Sequence, residues 1–404
     1  MFLCWLFISL AVLSLLESLY SLKDGIRYLR FYRRRQHDRP GDCAPPLTLV
    51  LPCRGVDPGL EENLRAYFAL DYPDFQLLLV TDSSSDPSVP VLERSLQDHP
   101  NVQAKLLLAG SASNRSQKVQ NLLYAIDSLR EKDQVIAFGD SDIRPRQDWL
   151  RFLVAPLAGS GVGASTGFRW YLPPDRSFAS ILRSVWNAGI SSLMKERDCI
   201  FAWGGAMALR RKIFESSRVA DYWAEALSDD FGLSQAVRNA GLSICFQPQC
   251  LSFSYENSSW RTLIDWSYRQ LLITRLCAPK LSAIAFSATL LNVLTVWGGG
   301  LFLLVNATVG PAWRGQSTLL LACIWVSVYL LGCLKGGLRL KAVTLLFKEE
   351  ALQMRSYRWA YIFWGPLASL LSLLGMVRAL FTRTIEWRGI RYRMIAPNRT
   401  VVID

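Results

Sequence analysis

The sequence predicts an α/β fold whose mostly parallel sheet is covered by helices on both faces and joined to transmembrane helices. Two observations support this prediction. Between residues 47 and 139, short apolar runs of strand character alternate with segments of helical spacing, which is typical of βαβ units. Apolar stretches long enough to cross a bilayer as helices, for which about 20 residues suffice, occur at the N-terminus and again after residue 282.

The composition favours a membrane protein. The 404 residues are 51% hydrophobic and carry a formal net charge of +12. Lys and Arg cluster beside apolar segments rather than along one polar face, so the predicted partner is the lipid bilayer and not nucleic acid. The nine Cys show no metal-ligand spacing, and the two His nearly exclude histidine triads and His-rich metal sites.

The N-terminal apolar run covers Phe2 to Leu22, with no Lys or Arg before it and several after it. A cleaved signal peptide has the opposite order of charges. We therefore expect an uncleaved transmembrane anchor over 1–23 with its N-terminus outside, followed by a basic linker over 24–46.

The next segments form a predicted cytosolic catalytic domain over 47–262. Its predicted strands are 47–52, 75–81, 102–108 and 134–139, followed by strand-like segments within 161–171 and 201–210. Its predicted helices are 60–70, 89–96, 116–129, 149–157, 177–194 and 233–239. Crossovers between parallel strands are expected to be right-handed.

The C-terminal part returns to the membrane. We expect an interfacial amphipathic helix over 263–281, membrane segments over 282–381 and a basic tail over 382–404. The first two spans, 283–305 and 317–334, are joined by a loop with Arg314 as its only charged residue. A third apolar segment, 359–377, contains Gly365-Pro366 and either spans the membrane or re-enters it.

An acidic turn follows the strand predicted over 134–139. Ligands of open α/β sheets bind at the carboxyl ends of strands, and Asp140 and Asp142 stand one residue apart at such an end. Paired carboxylates suit Mg²⁺ or Mn²⁺ on a diphosphate, although Asp-Ser-Asp is also an ordinary turn. Asp82 follows another strand and can accept hydrogen bonds from a nucleobase or ribose. Lys118, at a helix start, can reach a phosphate or order the acidic turn.

Two later stretches add candidate residues. Asp229 and Asp230 begin a predicted helix, whose dipole keeps a carboxylate ionised, as a general base requires. Trp203 precedes Gly204 and Gly205, and a glycine pair beside a strand marks either a bulge or a close approach of backbone to a ligand.

A basic aromatic helix precedes the second membrane region. Arg269, Gln270 and Arg275 lie on it, and its Trp and Tyr residues are typical of interface anchors. The alternative is functional, because a guanidinium fork is well suited to offset the charge of a departing diphosphate.

These residues resemble the membrane-bound inverting glycosyltransferases of the GT-A type, which are family 2-like. The closest resemblance is to the ceramide glucosyltransferase group and its hopanoid-associated bacterial relatives. It covers nearly the whole chain and is carried by Arg54-Gly-Val-Asp-Pro58, Leu70-Asp-Tyr-Pro73, Asp82 with Asp86-Pro87, Lys118 with Asn121-Leu122, Asp140-Ser-Asp-Ile-Arg144, Ser228-Asp-Asp230, Arg269 and Trp387-Arg-Gly-Ile-Arg-Tyr-Arg393.

The resemblance implies a role for individual residues. Asp82 would hold the uracil side of the nucleotide, and Asp140 with Asp142 would bind metal and diphosphate. Asp229 would be the catalytic base, at a position where Ser228 replaces the family's Glu.

A further catalytic role falls to Arg269, which matches the Arg of a Gln-x-x-Arg-Trp motif. In this motif Trp266 replaces the Gln and Gln270 replaces the Trp. The predicted substrate-binding residues are Arg54, Asp82, Lys118, Asp140, Trp203, Gly204, Gly205, Asp230, Gln270 and Arg275.

The predicted function is transfer of a sugar, glucose or N-acetylglucosamine, from a UDP-sugar to a hydroxyl of a membrane lipid, with inversion. Ceramide-like lipids, diacylglycerol and hopanoids are the expected acceptors of this multi-pass membrane protein. A processive polysaccharide synthase is one alternative, but it would need more spans and an intact Gln-x-x-Arg-Trp. A non-catalytic membrane protein that binds a nucleotide-sugar is the other, and the acid pair at 229–230 argues against it.

Overall fold

The computed structural model describes residues 2–41, 43–309 and 315–403, and these residues divide into two compact units. The sheet unit comprises His37–Pro174, Leu193–Glu256 and the chain from Arg383 onward, and the helical unit comprises the chain up to Gln36, Asp175–Ser192 and Asn257–Thr382. The sheet unit differs from the catalytic domain predicted over 47–262, because residues 175–192 belong to the helical unit and the C-terminal tail belongs to the sheet unit.

The strands lie in two sheets of the sheet unit. They are β1 (Leu47–Pro52), β2 (Phe75–Thr81), β3 (Ala104–Leu108), β4 (Val135–Gly139), β5 (Val162–Tyr171), β6 (Ala206–Arg210), β7 (Ser243–Ser254), β8 (Thr384–Trp387), β9 (Ile390–Ala396) and β10 (Arg399–Ile403). The larger sheet has the order β3-β2-β1-β4-β6-β5-β7. Only β6 runs antiparallel to its neighbours, so the predicted mostly parallel sheet is confirmed.

The helices are numbered in chain order. They are α1 (Phe2–Arg35), α2 (Leu60–Phe68), α3 (Val89–Asp98), α4 (Gln117–Ile126), α5 (Trp149–Val154), α6 (Phe178–Ile190), α7 (Arg211–Ser216), α8 (Val219–Trp223), α9 (Asp229–Asn239), α10 (Trp260–Cys277), α11 (Pro279–Val293), α12 (Gly299–Val309), α13 (Gln316–Leu346), α14 (Lys348–Met354), α15 (Arg358–Phe363) and α16 (Gly365–Phe381). Every strand and helix predicted between residues 47 and 139 is present.

The inner strands are buried along their whole length. In β1 and β4 every residue is buried, which explains why these strands are nearly continuous apolar runs rather than alternating patterns. Two neighbouring helices begin at serine caps. Ser116 Oγ accepts a hydrogen bond from the Val119 amide at the start of α4, and Ser228 Oγ accepts one from the Phe231 amide at the start of α9.

Among its described residues, the helical unit contains three helices that are long and apolar enough to cross a membrane: Phe2–Arg35, Pro279–Thr308 and Gln316–Leu346. The first continues to Arg35, so much of the predicted linker over 24–46 is helical. Small buried residues along one face of α1, among them Ala11 and Ser18, allow α13 to approach closely.

The remaining membrane predictions have mixed outcomes. Arg314 lies outside the described residues. The predicted interfacial helix over 263–281 corresponds to α10, which begins earlier, at Trp260. The third apolar segment is divided, because α15 ends at Phe363 and α16 begins at Gly365 with a proline in its first turn. Whether that segment spans or re-enters a membrane stays a prediction.

The predicted basic tail is an ordered three-stranded antiparallel sheet. Strands β8, β9 and β10 pair in sequence order, and the turn between β8 and β9 is formed by Arg388 and Gly389. Both turn residues have positive φ, 54° and 76°, which is the backbone of a two-residue type I′ hairpin.

Candidate active site

The topology brings most of the predicted site residues to one edge of the larger sheet. Strands β1, β2 and β4 are parallel, so Asp82 after β2 and the acidic turn (residues 140–142) after β4 lie at the same carboxyl edge. The antiparallel β6 starts at that edge, because its Ala206 pairs with Gly139. The glycine pair at 204–205 therefore lies beside the acidic turn.

The acidic turn is held by three side chains from two other elements, α2 and β7. Tyr67 Oη, Asn63 Nδ2 and Ser254 Oγ donate to the carbonyl oxygens of its first, second and third residues over 2.9, 3.1 and 2.8 Å. With the backbone satisfied in this way, the carboxylates of the turn are free to face other groups. The turn is thus pre-organised by tertiary contacts rather than by its own residues.

Arg169 on β5 bridges the two carboxylates of the acidic turn. Its Nη2 lies 2.8 Å from Asp140 Oδ2 and 2.5 Å from Asp142 Oδ1, and its Nη1 lies 2.9 Å from Asp142 Oδ2. Burial raises the pKa of Asp142, but Arg169 and then Arg388 outweigh it and hold the pKa below its usual range. Sequence reasoning missed Arg169, although a single charged residue in the apolar strand Val162–Tyr171 was a signal.

The chemistry of these two carboxylates fits a hard divalent cation. Within the described part of the chain, no three His, Cys, Asp or Glu side chains form a group that would hold a metal ion. Asp140 and Asp142 nevertheless direct one oxygen each at the same guanidinium nitrogen, which marks a position where two carboxylates share one cation. Mg²⁺ is commonly held by one or two carboxylates, with substrate phosphates and water as the other ligands.

Lys118 joins the acidic turn to the start of α9. Its Nζ lies 2.8 Å from Asp140 Oδ1 and 3.0 Å from Asp229 Oδ2. Burial lowers the pKa of Lys118, but the two carboxylates outweigh this effect and raise it above its usual value. Lys118 is therefore charged and orders the acidic turn, one of the two roles predicted for it.

The two acids at the start of α9 have different surroundings. Asp229 is only 4% exposed and is ion-paired with Lys118. Asp230 is partly exposed and uses Oδ1 to accept hydrogen bonds from Ser228 Oγ and the Phe231 amide. Burial, and next the charge of Asp229, raise the pKa of Asp230 to about 6.

The glycine pair makes room for the charged groups of the site. A Cβ atom at Gly204 would lie 2.2 Å from Asp229 Oδ2 and 2.9 Å from Lys118 Nζ. A Cβ atom at Gly205 would lie 2.6 Å from Asp140 Oδ2 and against the ring of Trp203. Glycine is needed at both positions because other side chains approach the backbone closely there, and these side chains belong to the protein itself.

Trp203 contributes a flat surface to the same region. The guanidinium carbon of Arg169 lies 5.2 Å from the centre of the indole ring, within the range of a cation–π contact. The backbone amide of Trp203 donates to Thr166 Oγ1 over 2.8 Å. These contacts hold Trp203 beside Arg169 and the acidic turn.

Asp82 is linked to the acidic turn through Arg54 and the C-terminal hairpin. Arg54 Nη1 donates to the carboxylate of Asp82, and Arg54 Nε donates to the carbonyl oxygen of Arg388 over 3.1 Å. Arg388 forms a two-pronged ion pair with Asp57, and its Nη2 lies 3.9 Å from Asp142 Oδ2. Neither Arg388 nor Asp57 was among the predicted site residues.

A profile of glycosyl transferase family 21 matches residues 6–400. The chain belongs to this family. The resemblance to the ceramide glucosyltransferase group is thereby confirmed, since members with that name are among the curated relatives.

Two of these curated relatives show how far the similarity extends. Ceramide glucosyltransferase 1 of Caenorhabditis elegans is 21% identical over 218 residues, which are 53% of this chain and 46% of that protein. Ceramide glucosyltransferase of Gibberella zeae is 31% identical over 156 residues, which are 35% of this chain and 29% of that protein. The chain thus spans about half or less of the length of these curated relatives.

Solved structures are also similar to this chain, at lower sequence identity. Mannosyltransferase PcManGT from Pyrobaculum calidifontis, solved with GDP-Man and Mn2+, is 17% identical with a TM-score of 0.48 and covers 93% of this chain and 99% of that one. Glucosyl-3-phosphoglycerate synthase from Mycobacterium tuberculosis, solved with Mn2+ and UDP, is 16% identical with a TM-score of 0.40. The match covers 59% of this chain and 84% of that one.

Three predicted residues lie elsewhere. Arg269, Gln270 and Arg275 are on α10 in the helical unit, where Arg275 Nη1 donates to the carbonyl oxygen of Ala379. Their roles toward a substrate stay predictions. The residues that meet at the edge of the sheet are Arg54, Asp82, Lys118, Asp140, Asp142, Trp203, Gly204, Gly205, Asp229 and Asp230.

Proposed function

We propose that this family 21 chain is a glycosyltransferase that moves a sugar from a UDP-sugar to a hydroxyl group of a membrane lipid, with inversion at the anomeric carbon. One observation supports this most strongly: the predicted acids form one connected cluster. Asp82, Arg54, Arg388, Asp57, Asp142, Arg169, Asp140, Lys118 and Asp229 follow one another as contacting or neighbouring groups.

The donor occupies this cluster in two parts. Asp82 and Arg54 face the nucleoside, and the acidic turn faces the diphosphate. Mg²⁺ or Mn²⁺ held by Asp140 and Asp142 would offset the negative charge that develops on the departing UDP. In the structure, Lys118 and Arg169 hold these two carboxylates together.

The general base is Asp230 rather than Asp229, which the sequence argument favoured. A base needs access to the acceptor and a pKa near the working pH. Asp229 is buried and its carboxylate is engaged by Lys118, whereas Asp230 is partly exposed with its pKa raised to about 6. Asp229 then serves to raise the pKa of its neighbour and to fix Lys118.

The reaction is a single displacement. The lipid hydroxyl transfers its proton to the carboxylate of Asp230 as its oxygen bonds to the anomeric carbon. The bond between that carbon and the phosphate oxygen breaks on the opposite side, and UDP leaves with the electron pair. In-line attack of this kind inverts the configuration of the sugar.

The lipid acceptor is supported by the helices and by the relatives. In the part of the chain that the structure describes, three helices are long and apolar enough to span a bilayer, and curated relatives carry the name ceramide glucosyltransferase. Ceramide-like lipids, diacylglycerol and hopanoids are therefore the acceptors to test. We assign the chain to a membrane with its catalytic domain in the cytosol.

The deciding experiment uses the purified full-length chain with a panel of UDP-sugars and a total lipid extract, with and without EDTA. Mass spectrometry is expected to find one new glycolipid whose formation stops in EDTA and returns with Mg²⁺ or Mn²⁺. The Asp230→Asn variant is the inactive control.

Other outcomes would contradict the proposal in distinct ways. A polysaccharide product would favour a processive synthase. Donor binding without any product would favour a non-catalytic binding protein. A product that forms equally well in EDTA would remove the divalent cation from the mechanism.

A further inference from the structure

The C-terminal hairpin of β8 and β9 is anchored firmly to the sheet unit. Its inner face carries the buried residues Ile385, Tyr392 and Met394. Tyr392 Oη accepts a hydrogen bond from the Gln117 amide over 3.1 Å, at the start of the helix that carries Lys118. The hairpin is thus docked on the same helix as one of the charged residues of the site.

The turn of this hairpin places Arg388 among the site residues. A type I′ turn needs positive φ at both central positions, and Arg388 adopts φ 54° although such values are uncommon outside glycine. The hairpin therefore keeps a strained backbone conformation at Arg388, whose side chain contacts residues of the site. Strain of this kind persists where the surrounding contacts determine it, and it is concentrated at functional positions.

The guanidinium of Arg388 is engaged on two sides. Its Nη2 lies 3.0 Å from Asp57 Oδ2, its Nη1 contacts the other oxygen of Asp57, and Nη1 also donates to the Arg54 carbonyl oxygen over 3.1 Å. In return, Arg54 Nε donates to the carbonyl oxygen of Arg388 over 3.1 Å. A planar fork matches a carboxylate in this way, and Lys does not reproduce that geometry.

Asp57 connects Arg388 to the acidic turn. Its Oδ2 accepts a hydrogen bond from Ser141 Oγ over 3.0 Å, and Ser141 is the residue between Asp140 and Asp142. Asp57 is 7% exposed, so its charge depends on the paired guanidinium rather than on water. The tail residue thus reaches the centre of the acidic turn through a single carboxylate.

We propose that Arg388 is a positioning residue of the donor site, which orients the acidic turn through Asp57 and Ser141 and ties Arg54 to the same hairpin. This inference rests on the proposed function, because the acidic turn is taken as the diphosphate site. It makes the C-terminal tail, which the sequence predicts only as a basic tail, a structural part of the donor site.

The test compares Arg388→Ala, Arg388→Lys and Asp57→Asn with Arg393→Ala, an exposed arginine on the same hairpin. Calorimetric titration with UDP, the KM for the UDP-sugar and kcat are measured on the full chain. Loss of an outer contact to a ligand-binding group costs about 10- to 100-fold, so Arg388→Ala is expected to weaken UDP binding and raise the donor KM by that factor. Arg393→Ala is expected to match the wild type.

Two further readouts separate positioning from a general loss of structure. Arg388→Lys keeps the charge without the fork and is expected to fall between the wild type and Arg388→Ala. Because Arg388 acts through Asp57, the double variant with Arg388→Ala and Asp57→Asn is expected to lose no more affinity for UDP than the worse of the two single variants. Independent structural damage would not produce this non-additivity.

The outcomes are distinguishable. If Arg388→Ala does not fold, as judged by thermal unfolding, the comparison of Arg388→Lys with Arg393→Lys decides. If the wild type binds UDP and the Arg388 variants bind it equally well with an unchanged KM, the positioning role is refuted. If the wild type neither binds UDP nor transfers sugar, the proposed function fails instead.

Discussion

Replacing Gly204 by Ala tests the arrangement of the charged cluster directly. The added Cβ atom would lie 2.2 Å from Asp229 Oδ2 and 2.9 Å from Lys118 Nζ. Non-bonded heavy atoms normally separate to about 3.5 Å, so the Asp229 carboxylate has to retreat by roughly 1 Å. That displacement would break its 3.0 Å contact with Lys118 and release the hold on Asp140.

The expected effect of this displacement is large. A misplacement of about 1 Å in an active site costs on the order of 100-fold in rate, which corresponds to about 2.7 kcal/mol. Overpacking of a buried site costs a further ~1–3 kcal/mol in the free energy of unfolding. We therefore expect Gly204→Ala to lower kcat/KM by about two orders of magnitude and to lower the unfolding midpoint.

The assay is sugar transfer to lipid, measured alongside thermal unfolding. Gly41→Ala is the matched control, because nothing lies within 4 Å of a Cβ atom at that position in the same unit. If Gly204→Ala retained both the rate and the unfolding midpoint of the wild type, Asp229 would not be packed against Gly204. That result would contradict the arrangement in which Lys118 contacts both Asp229 and Asp140.

Four further predictions concern single charges of the cluster. Asp230→Asn is expected to lower kcat by about 10²- to 10⁴-fold while UDP still binds, and equal turnover would exclude Asp230 as the base. In the wild type, kcat/KM is expected to fall as the pH drops below about 6, because Asp230 becomes protonated with its pKa raised to about 6. Asp229→Asn removes a neighbouring negative charge, so the residual activity should show this acidic limb at lower pH, and an unmoved limb would contradict the coupling. Arg169→Met leaves the Asp142 carboxylate without its buried partner, raises its pKa, and is expected to destabilise the protein by about 3–5 kcal/mol in urea unfolding at neutral pH.

The order of strands and helices and the position of several site residues could be predicted from the sequence. Runs such as Phe75–Thr81 are apolar because both faces of the strand are buried, and that burial is visible in the local pattern. Asp82, Asp140 and Asp142 were predicted because they directly follow such runs, and parallel strands end at a common edge.

Other parts of the site were not predicted because their meaning depends on distant partners. Arg169 contacts acids 27 and 29 residues away, and Arg388 contacts an acid 331 residues away. The segment over 382–404 is predicted only as a basic tail, although apolar residues alternate with Arg over 390–394 and Arg-Gly precedes them. Alternation with a period of two residues is typical of a half-buried strand.

The order of strands and helices therefore follows from the sequence, whereas only the tertiary structure determines which charged groups surround each residue of the site. Burial and helical or extended periodicity depend on neighbours a few residues away, so the chain alone shows where strands end and where acids follow them. The pKa of an acid and its role depend instead on which cations and which solvent surround it. Asp229 and Asp230 are adjacent in the chain and of the same type, and only folding makes the first the partner of a lysine and leaves the second partly exposed with a raised pKa.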